Sequence, residues 1–332
     1  MTTAKLMLCF VGLLCTFLGS FTLGRYPISV GTAMAVLAGR GSSGLPSRPQ
    51  VLEAIIWNVR LPRILAAVLV GAALSVAGAA YQGMLRNPLV SPGILGASGG
   101  AGLGAAVAIV SGWTGLAVPL LAFVGGLVAV LSTWSLGAWM GRGRDPILIM
   151  VMAGIVVGSL CTAVLSIVKL VSDPANTLPA ITFWLMGGLG QVALRDLGFA
   201  APPIVAGILF LGAVAWQLDA LSLGEDESRA LGIATHRLRA LVIVSATLIT
   251  AAAVAISGII ALVGLIVPHL ARLLLGPRHA ILIPASAALG GTFLLCVDDL
   301  ARACSGVDLP LGILTSLVGA PILALLLKRT GR

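Results

Sequence analysis

Residues able to do chemistry are few in this 332-residue chain, of which only 9% are charged, and they fall in short clusters. The densest is LGEDESRALG, residues 223 to 232, with three consecutive acids and an arginine between two apolar runs. A second is the pair Asp298 and Asp299. Three histidines (His236, His269, His279) and five cysteines complete the set of candidate ligands and nucleophiles. Zinc chemistry wants spacings such as H-E-x-x-H, and these histidines have neither that spacing nor acidic neighbours at ligand distance in sequence. ATP chemistry wants a lysine after a glycine-rich loop. None of Lys5, Lys169 and Lys328 follows a glycine, so if ATP drives this protein another chain binds it. Ion-driven transport wants ionisable groups near the midplane of a bilayer. Nearly all charges here sit at the ends of apolar runs; Asp298 and Asp299 come closest, and Asp298 lies one helical turn from Arg302, with which it can pair. The five cysteines show no C-x-x-C pair and read as small buried hydrophobes rather than disulfides or metal ligands. No catalytic and no metal-binding residue emerges.

The elements that must carry these clusters follow from composition. A chain that is 59% hydrophobic has too little polar surface to coat a water-soluble globule of this size. Apolar runs of about 20 residues recur along its length, each able to cross about 30 Å of hydrocarbon as a helix; barrel strands would be shorter and alternate. The expected fold is an all-α integral membrane protein, one transmembrane domain over residues 1–332, with spans near 6–24, 64–83, 94–112, 117–140, 146–168, 198–217, 238–257, 259–275, 280–297 and 309–328. The seventh and eighth are separated at Ser257-Gly258, because the run from 240 to 267 is too long for one span. The first run has a longer apolar core than a signal peptide and lacks its cleavage pattern, so it reads as a retained span.

Basic residues set the orientation. With both ends cytoplasmic, the inner connections and termini hold twelve of the twenty, including Arg86, Arg142, Arg144, Arg237, Arg239, Arg272 and Lys328. That topology, rather than nucleic acid, accounts for the +9 formal charge. The long outer segment, 25–63, holds ISVGTAMAVLAG, a mildly amphipathic stretch suited to a short surface helix, and the loop GRGSSGLPSRP. A second outer segment, SDPANTLPAITFWLMGG, carries Trp184. Gly96, Gly100 and Gly104 recur every four residues and draw a groove for a close helix neighbour.

Within this frame LGEDESRALG is a short helix on the cytoplasmic side. Ser222 and Glu225 read as a capping box, the acids lie at the positive end of the dipole, Ala230 and Leu231 form a small apolar face, and Gly232 ends it. It is either a solvated connector or a rod built to enter a cleft on another protein.

Four stretches carry a resemblance: RLPRILAAVLVGAALSVAGAAYQGMLRNPLVSPGILGASGGAG (60–102), LSLGEDESRALGI (221–233), SGIIALVGLIVPHLAR (257–272) and DLPLGILTSLVGAPILALLLKR (308–329). Together, in this order, they resemble the permease subunits of the iron-chelate (siderophore or haem) and cobalamin ABC importers. The resemblance implies a homodimer, or a heterodimer, of ten-helix subunits in the cytoplasmic (inner) membrane of a bacterium or archaeon, with the path on the two-fold axis. It further implies two ATPase subunits, which hold ATP and Mg²⁺ in place of any cofactor in this chain, and a periplasmic or surface-anchored solute-binding protein. Leu223, Gly224, Glu225, Ala230, Leu231 and Gly232, in a coupling loop of about 218–236, match the family's ATPase contact. Arg60, Arg63 and Arg302 match arginines that dock the binding protein; as bases just outside a span they are equally suited to lipid phosphates. The cargo is expected to be an iron chelate, with cobalamin next. An ion-coupled transporter, a channel and an intramembrane enzyme would each need a midplane carboxylate or paired catalytic groups, for which the sequence offers no candidate.

Overall fold

A computed structural model describes residues 2–24, 26, 28–38, 49–140, 146–304 and 309–330, and every regular element among them is helical. The GRGSSGLPSRP loop up to residue 48, and Arg142, Arg144, Asp145 and Arg332, lie outside the described residues. The first helix, α1 (Thr2–Ser20), precedes the short α2 (Val30–Leu37), which forms where the amphipathic stretch predicts it and is capped by Ser29, whose Oγ accepts from the Thr32 N–H at 3.1 Å. Next, α3 (Pro49–Ile55) passes through a π-helical turn (Ile56–Arg60) into α4 (Leu61–Met84), so that Gln50–Met84 is one 35-residue apolar helix rather than a span beginning near 64.

A 3₁₀ turn at Pro92–Leu95 leads to α5 (Ala97–Val110), then α6 (Ala117–Met140), α7 (Pro146–Leu170) and α8 (Thr177–Met186). In the turn before α8 the Ala175 N–H, helped by Asn176, holds the Asp173 carboxyl below its ordinary value. The chain continues as α9 (Leu194–Ala213), α10 (Ala215–Leu223), α11 (Glu225–Ala230), α12 (Thr235–Ser257), α13 (Val263–Leu275), α14 (His279–Cys304) and α15 (Leu311–Thr330). Each of the ten expected spans overlaps one of these helices, but among the described residues seven helices are long and apolar enough to cross a membrane by length and composition. α5 starts later than expected because Gly96, at φ +89°, ends the preceding turn in a left-handed conformation.

α4 lies at the centre, nearly all of it buried, with α12 and α14 beside it. Its Ala, Gly and Ser side chains make this possible, since small residues let neighbouring backbones approach closely where no hydrophobic force operates between helices in lipid. At Gly71 and Gly290 the backbones of α4 and α14 touch: a Cβ on Gly71 would overlap the Gly290 carbonyl oxygen. Gly71→Val is therefore expected to cost about 3 kcal/mol or more, read as lost monodispersity and a lowered melting temperature in detergent. Gly100 and Gly104 pack likewise on the α6 backbone, as their spacing predicts, but Gly96 lies outside the helix and its groove.

Peripheral helices turn large apolar side chains outward: Met7, Leu8 and Leu14 on α1, Leu131 on α6, Leu160 and Ile167 on α7, Leu317 on α15. Patches of this extent are what a lipid-facing surface requires. Exposed Trp57 and Trp113 lie near one end of the bundle, Trp139 and Trp216 near the other, as two interfacial belts would place them.

The separation between α12 and α13 falls where the sequence puts it. Gly258 adopts φ +67° where a Cβ would overlap the Trp184 carbonyl oxygen, and Leu262, at φ +68°, opens α13. The non-helical turn after α8 meets this one, Gly188 N–H donating to Ser257 O at 2.7 Å, and the start of α15 joins that turn, Leu311 N–H donating to Gly187 O at 2.8 Å. Irregular backbone at membrane depth is tolerated where it satisfies itself inside the protein in this way.

Candidate coupling and docking sites

Helix α11 differs from its expected form in how it starts. Ser222 caps nothing; it belongs to the last turn of α10, where its Oγ donates to Asp219 O at 2.6 Å. Gly224 (φ +154°) is the N-cap instead, buried and so close to the Glu227 carboxylate that a Cβ would overlap it. The end matches expectation. Gly232 (φ +77°) donates to Arg229 O at 2.9 Å and Ile233 to Ser228 O at 3.1 Å, the paired bonds of a Schellman turn.

Two interactions hold α11 rigid. Ser228, fully buried, has its single hydroxyl proton shared between Ala220 O of α10 at 2.8 Å and Gly224 O. Glu225 is bound on both sides, to Arg229 one turn on and to Arg239 of α12 at 3.0 Å. Its carboxylate is therefore an anchor within the chain. This short, doubly fastened element presents the charged Asp226, Glu227 and Arg229 outward, flanked by Leu223 (66% exposed) at the end of α10 and Leu231 (53%) at its own end, with Ala230 and Gly232 exposed beside Leu231. A pair of exposed leucines on a rigid polar element is a small apolar contact surface.

The three arginines are brought together, at the opposite end of α4 and α14. Arg60, Arg63 and Arg302 line one open cavity of about 290 Å³ with Leu23 and Tyr26. They are not exposed bases, as their position just outside a span suggests: Arg60 and Arg63 are buried, and the Arg302 side chain is 9% exposed. Arg60 donates to the Phe21 and Tyr26 carbonyls, and Arg302 Nη1 to Ser20 O at 3.2 Å and Leu23 O at 3.0 Å. Both guanidinia thus serve carbonyl groups at the end of α1 and in the segment that follows it.

Asp298, fully buried, takes Arg63 Nε at 2.8 Å and has Arg302 Nε 3.0 Å from its other oxygen, near enough for charge pairing though off-line for a hydrogen bond. Asp299 binds Arg302 as well and accepts from Ser20 Oγ at 2.6 Å. The Asp298–Arg302 pair follows from their four-residue spacing. The Arg63–Asp298 pair, 235 residues apart, leaves no local signal. Among the described residues, three guanidinium groups and two carboxylates gather here, and the three guanidinia line a cavity open to the surroundings. Guanidinium groups at such a cavity suit an anionic oxygen ligand, a carboxylate or a phosphate.

A further cavity of about 450 Å³ lies alongside, between α8, α9 and the end of α12, lined by Arg63, Phe183, Trp184, Gln191, Arg195 and Ser257 among others. Sequence reasoning missed one more contact, near α11: His279, the first residue of α14, is buried with its Nδ1 2.7 Å from Asp219 Oδ1 of α10. The two are 60 residues apart, so no spacing rule reaches them.

Comparison with known proteins gives this geometry a family setting. The FecCD transport family matches residues 12–329. The molybdate import permease MolB of Haemophilus influenzae is 38% identical over 317 residues, 94% of this chain and 92% of MolB. The haemin transport permease HmuU of Yersinia pestis is 37% identical over 285 residues, 82% and 83% of the two chains. Among solved structures, a transporter described as of metal-chelate type, in an inward-facing conformation, superposes with a TM-score of 0.87 at 34% identity over 98% of each chain.

Proposed function

The chain belongs to the FecCD transport family, an ABC importer permease, and from that premise we propose that it forms the membrane path for an iron chelate, a ferric siderophore or haem. It is a multi-pass membrane protein; in this reading ten helices cross the cytoplasmic membrane with both ends inside, and two copies enclose the path. The importer setting implies an ATPase and a solute-binding partner.

One observation carries the assignment of sides and partners. α11, flanked by the exposed Leu223 and Leu231, and the cavity of three arginines lie at opposite ends of the α4–α14 pair. The 19 residues from His279 to Asp298 put the two levels about 28 Å apart, close to the thickness of the hydrocarbon core. An inner face suited to an ATPase cleft and an outer face suited to acidic groups of a binding protein are what an ATP-driven importer needs. Leu223, Ala230, Leu231 and Gly232 form the ATPase contact in this reading, Gly224 and Glu225 hold it in shape, and Arg60, Arg63 and Arg302 receive the binding protein.

The haemin permease and the transporter of metal-chelate type favour a chelate as cargo. A second reading, a molybdate-like oxyanion, is favoured by MolB, which spans more of this chain than the haemin relative does. Cobalamin stands behind both. Uptake into proteoliposomes holding this chain, its ATPase and its binding protein discriminates among them. Labelled ferric siderophore or haem is expected to accumulate only with ATP inside. Accumulation of molybdate or cobalamin instead would replace the cargo, and uptake driven by an ion gradient without the ATPase would overturn the mechanism.

A further inference from the structure

Asp219 and His279 belong to neither of the two contact faces, yet they join them. Asp219 lies on α10, five residues before Gly224, and its Oδ1 accepts from the backbone N–H of His279 at 2.8 Å while approaching the ring Nδ1 at 2.7 Å. One carboxylate from α10 thus caps the first turn of α14, filling an orphan donor at the positive end of that helix dipole. The same α10 is fused to α11 through Ser228. On its other side the His279 ring is wedged against α4: a Cβ at Gly83 would overlap Nε2.

From this joint α14 stays helical through Pro284, which omits one ladder hydrogen bond, and past the backbone contact of Gly290 with Gly71, and its last turns carry Asp298 and Asp299, which hold Arg63, Arg302 and Ser20. α12 does not offer an equivalent route. It is tied to α11 by Glu225 and Arg239 and to α4 by Tyr81 and Thr247 (3.0 Å), but it stops at Ser257, and the break up to Leu262 follows. A continuous helix bolted at both ends and packed backbone to backbone transmits displacement, whereas a chain break absorbs it.

We propose that α14 is the strut carrying displacement of α11 to the arginine cavity, and that Asp219 and His279 are the positioning residues joining strut to coupling helix. The proposal rests on the reading of α11 as the ATPase contact. It predicts reciprocal coupling: nucleotide on the ATPase changes binding-protein affinity at the other face, through this joint.

The test uses the complete complex of this chain with its ATPase in lipid nanodiscs, titrated with the binding protein without nucleotide and with a non-hydrolysable ATP analogue. In the native complex the two affinities are expected to differ about tenfold or more. In Asp219→Ala the ratio is expected to fall to about one while the ATPase stays bound and hydrolyses ATP at its basal rate. Asp219→Asn, whose amide oxygen still accepts from the His279 N–H, is expected to keep the ratio within about threefold of native. Should Asp219→Ala not assemble, His279→Ala, which keeps the backbone bond, decides, with a drop of at least about threefold expected. A native ratio near one, or an unchanged ratio in the assembled variants, overturns the strut alone. Failure of the native chain to bind an ATPase would instead overturn the coupling reading beneath it.

Discussion

Replacing Leu223 and Leu231 together by Asp is expected to remove the ATPase from the purified complex while leaving the permease folded in the membrane. Both side chains are more than half exposed in the isolated chain, so charging them costs the fold little, about 0.5 kcal/mol each. Leu231 closes the C-terminal end of α11, where an added carboxylate meets the negative dipole end at a further cost of about 0.3–1 kcal/mol. Against a partner's cleft the balance reverses. Apolar anchors at the centre of an interface are worth about 2 kcal/mol or more each, and a buried unpaired carboxylate adds its desolvation, so the pair is expected to weaken docking roughly a thousandfold. Co-expression with the ATPase, affinity capture on the permease and size exclusion of the captured material read both outcomes; normal ATPase recovery would sink the coupling role.

Glu225 is the poorer target for that experiment. Reversing it to Arg would set a third guanidinium beside Arg229 and Arg239, so a failure could arise within the chain. Glu225→Gln removes the charge alone and is expected to loosen α11 on α12 while the leucines still dock.

The coupling element shows how far sequence reasoning reached and where it stopped. Its length, its glycine stop and its polarity are local properties, legible from LGEDESRALG. The first cap was misplaced because Ser222 and Glu225 fit a capping box in sequence, whereas α10 continues through Ser222 and only Gly224 accepts the φ of +154° at which the chain turns. Likewise the break at Ser257-Gly258 is marked by residue type, but its stitching to 187–188 and 311 joins segments tens of residues apart and leaves no periodic trace. The α3–α4 helix ran longer than expected because Arg60 and Arg63 looked like the polar end of a span. Arg60 is met by the Phe21 and Tyr26 carbonyls in the segment after α1 and Arg63 by Asp298, which removes the reason to stop the helix there.

Asp298→Ala is the other change expected to have a large effect, and it separates architecture from docking. It withdraws a carboxylate that pairs with both Arg63 and Arg302, with the carboxylate itself fully buried and the two arginine side chains 10% and 9% exposed. Removing one member of a buried pair costs about 3–5 kcal/mol, because the remaining charge is left without compensation. The open arginine cavity admits water to one side, which argues for the lower part of that range. The consequence reaches α1, whose last carbonyls depend on Arg302 being held in place. The expected result is a lower melting temperature in detergent, with α1 the first element exposed to protease. Adding Arg302→Met to Asp298→Ala is expected to recover part of the loss, since the two side chains interact and their effects are non-additive. A single variant as stable as the native chain would show that water or lipid phosphate neutralises the arginines unaided. In that case the same groups would be free to receive a binding protein without first releasing Asp298.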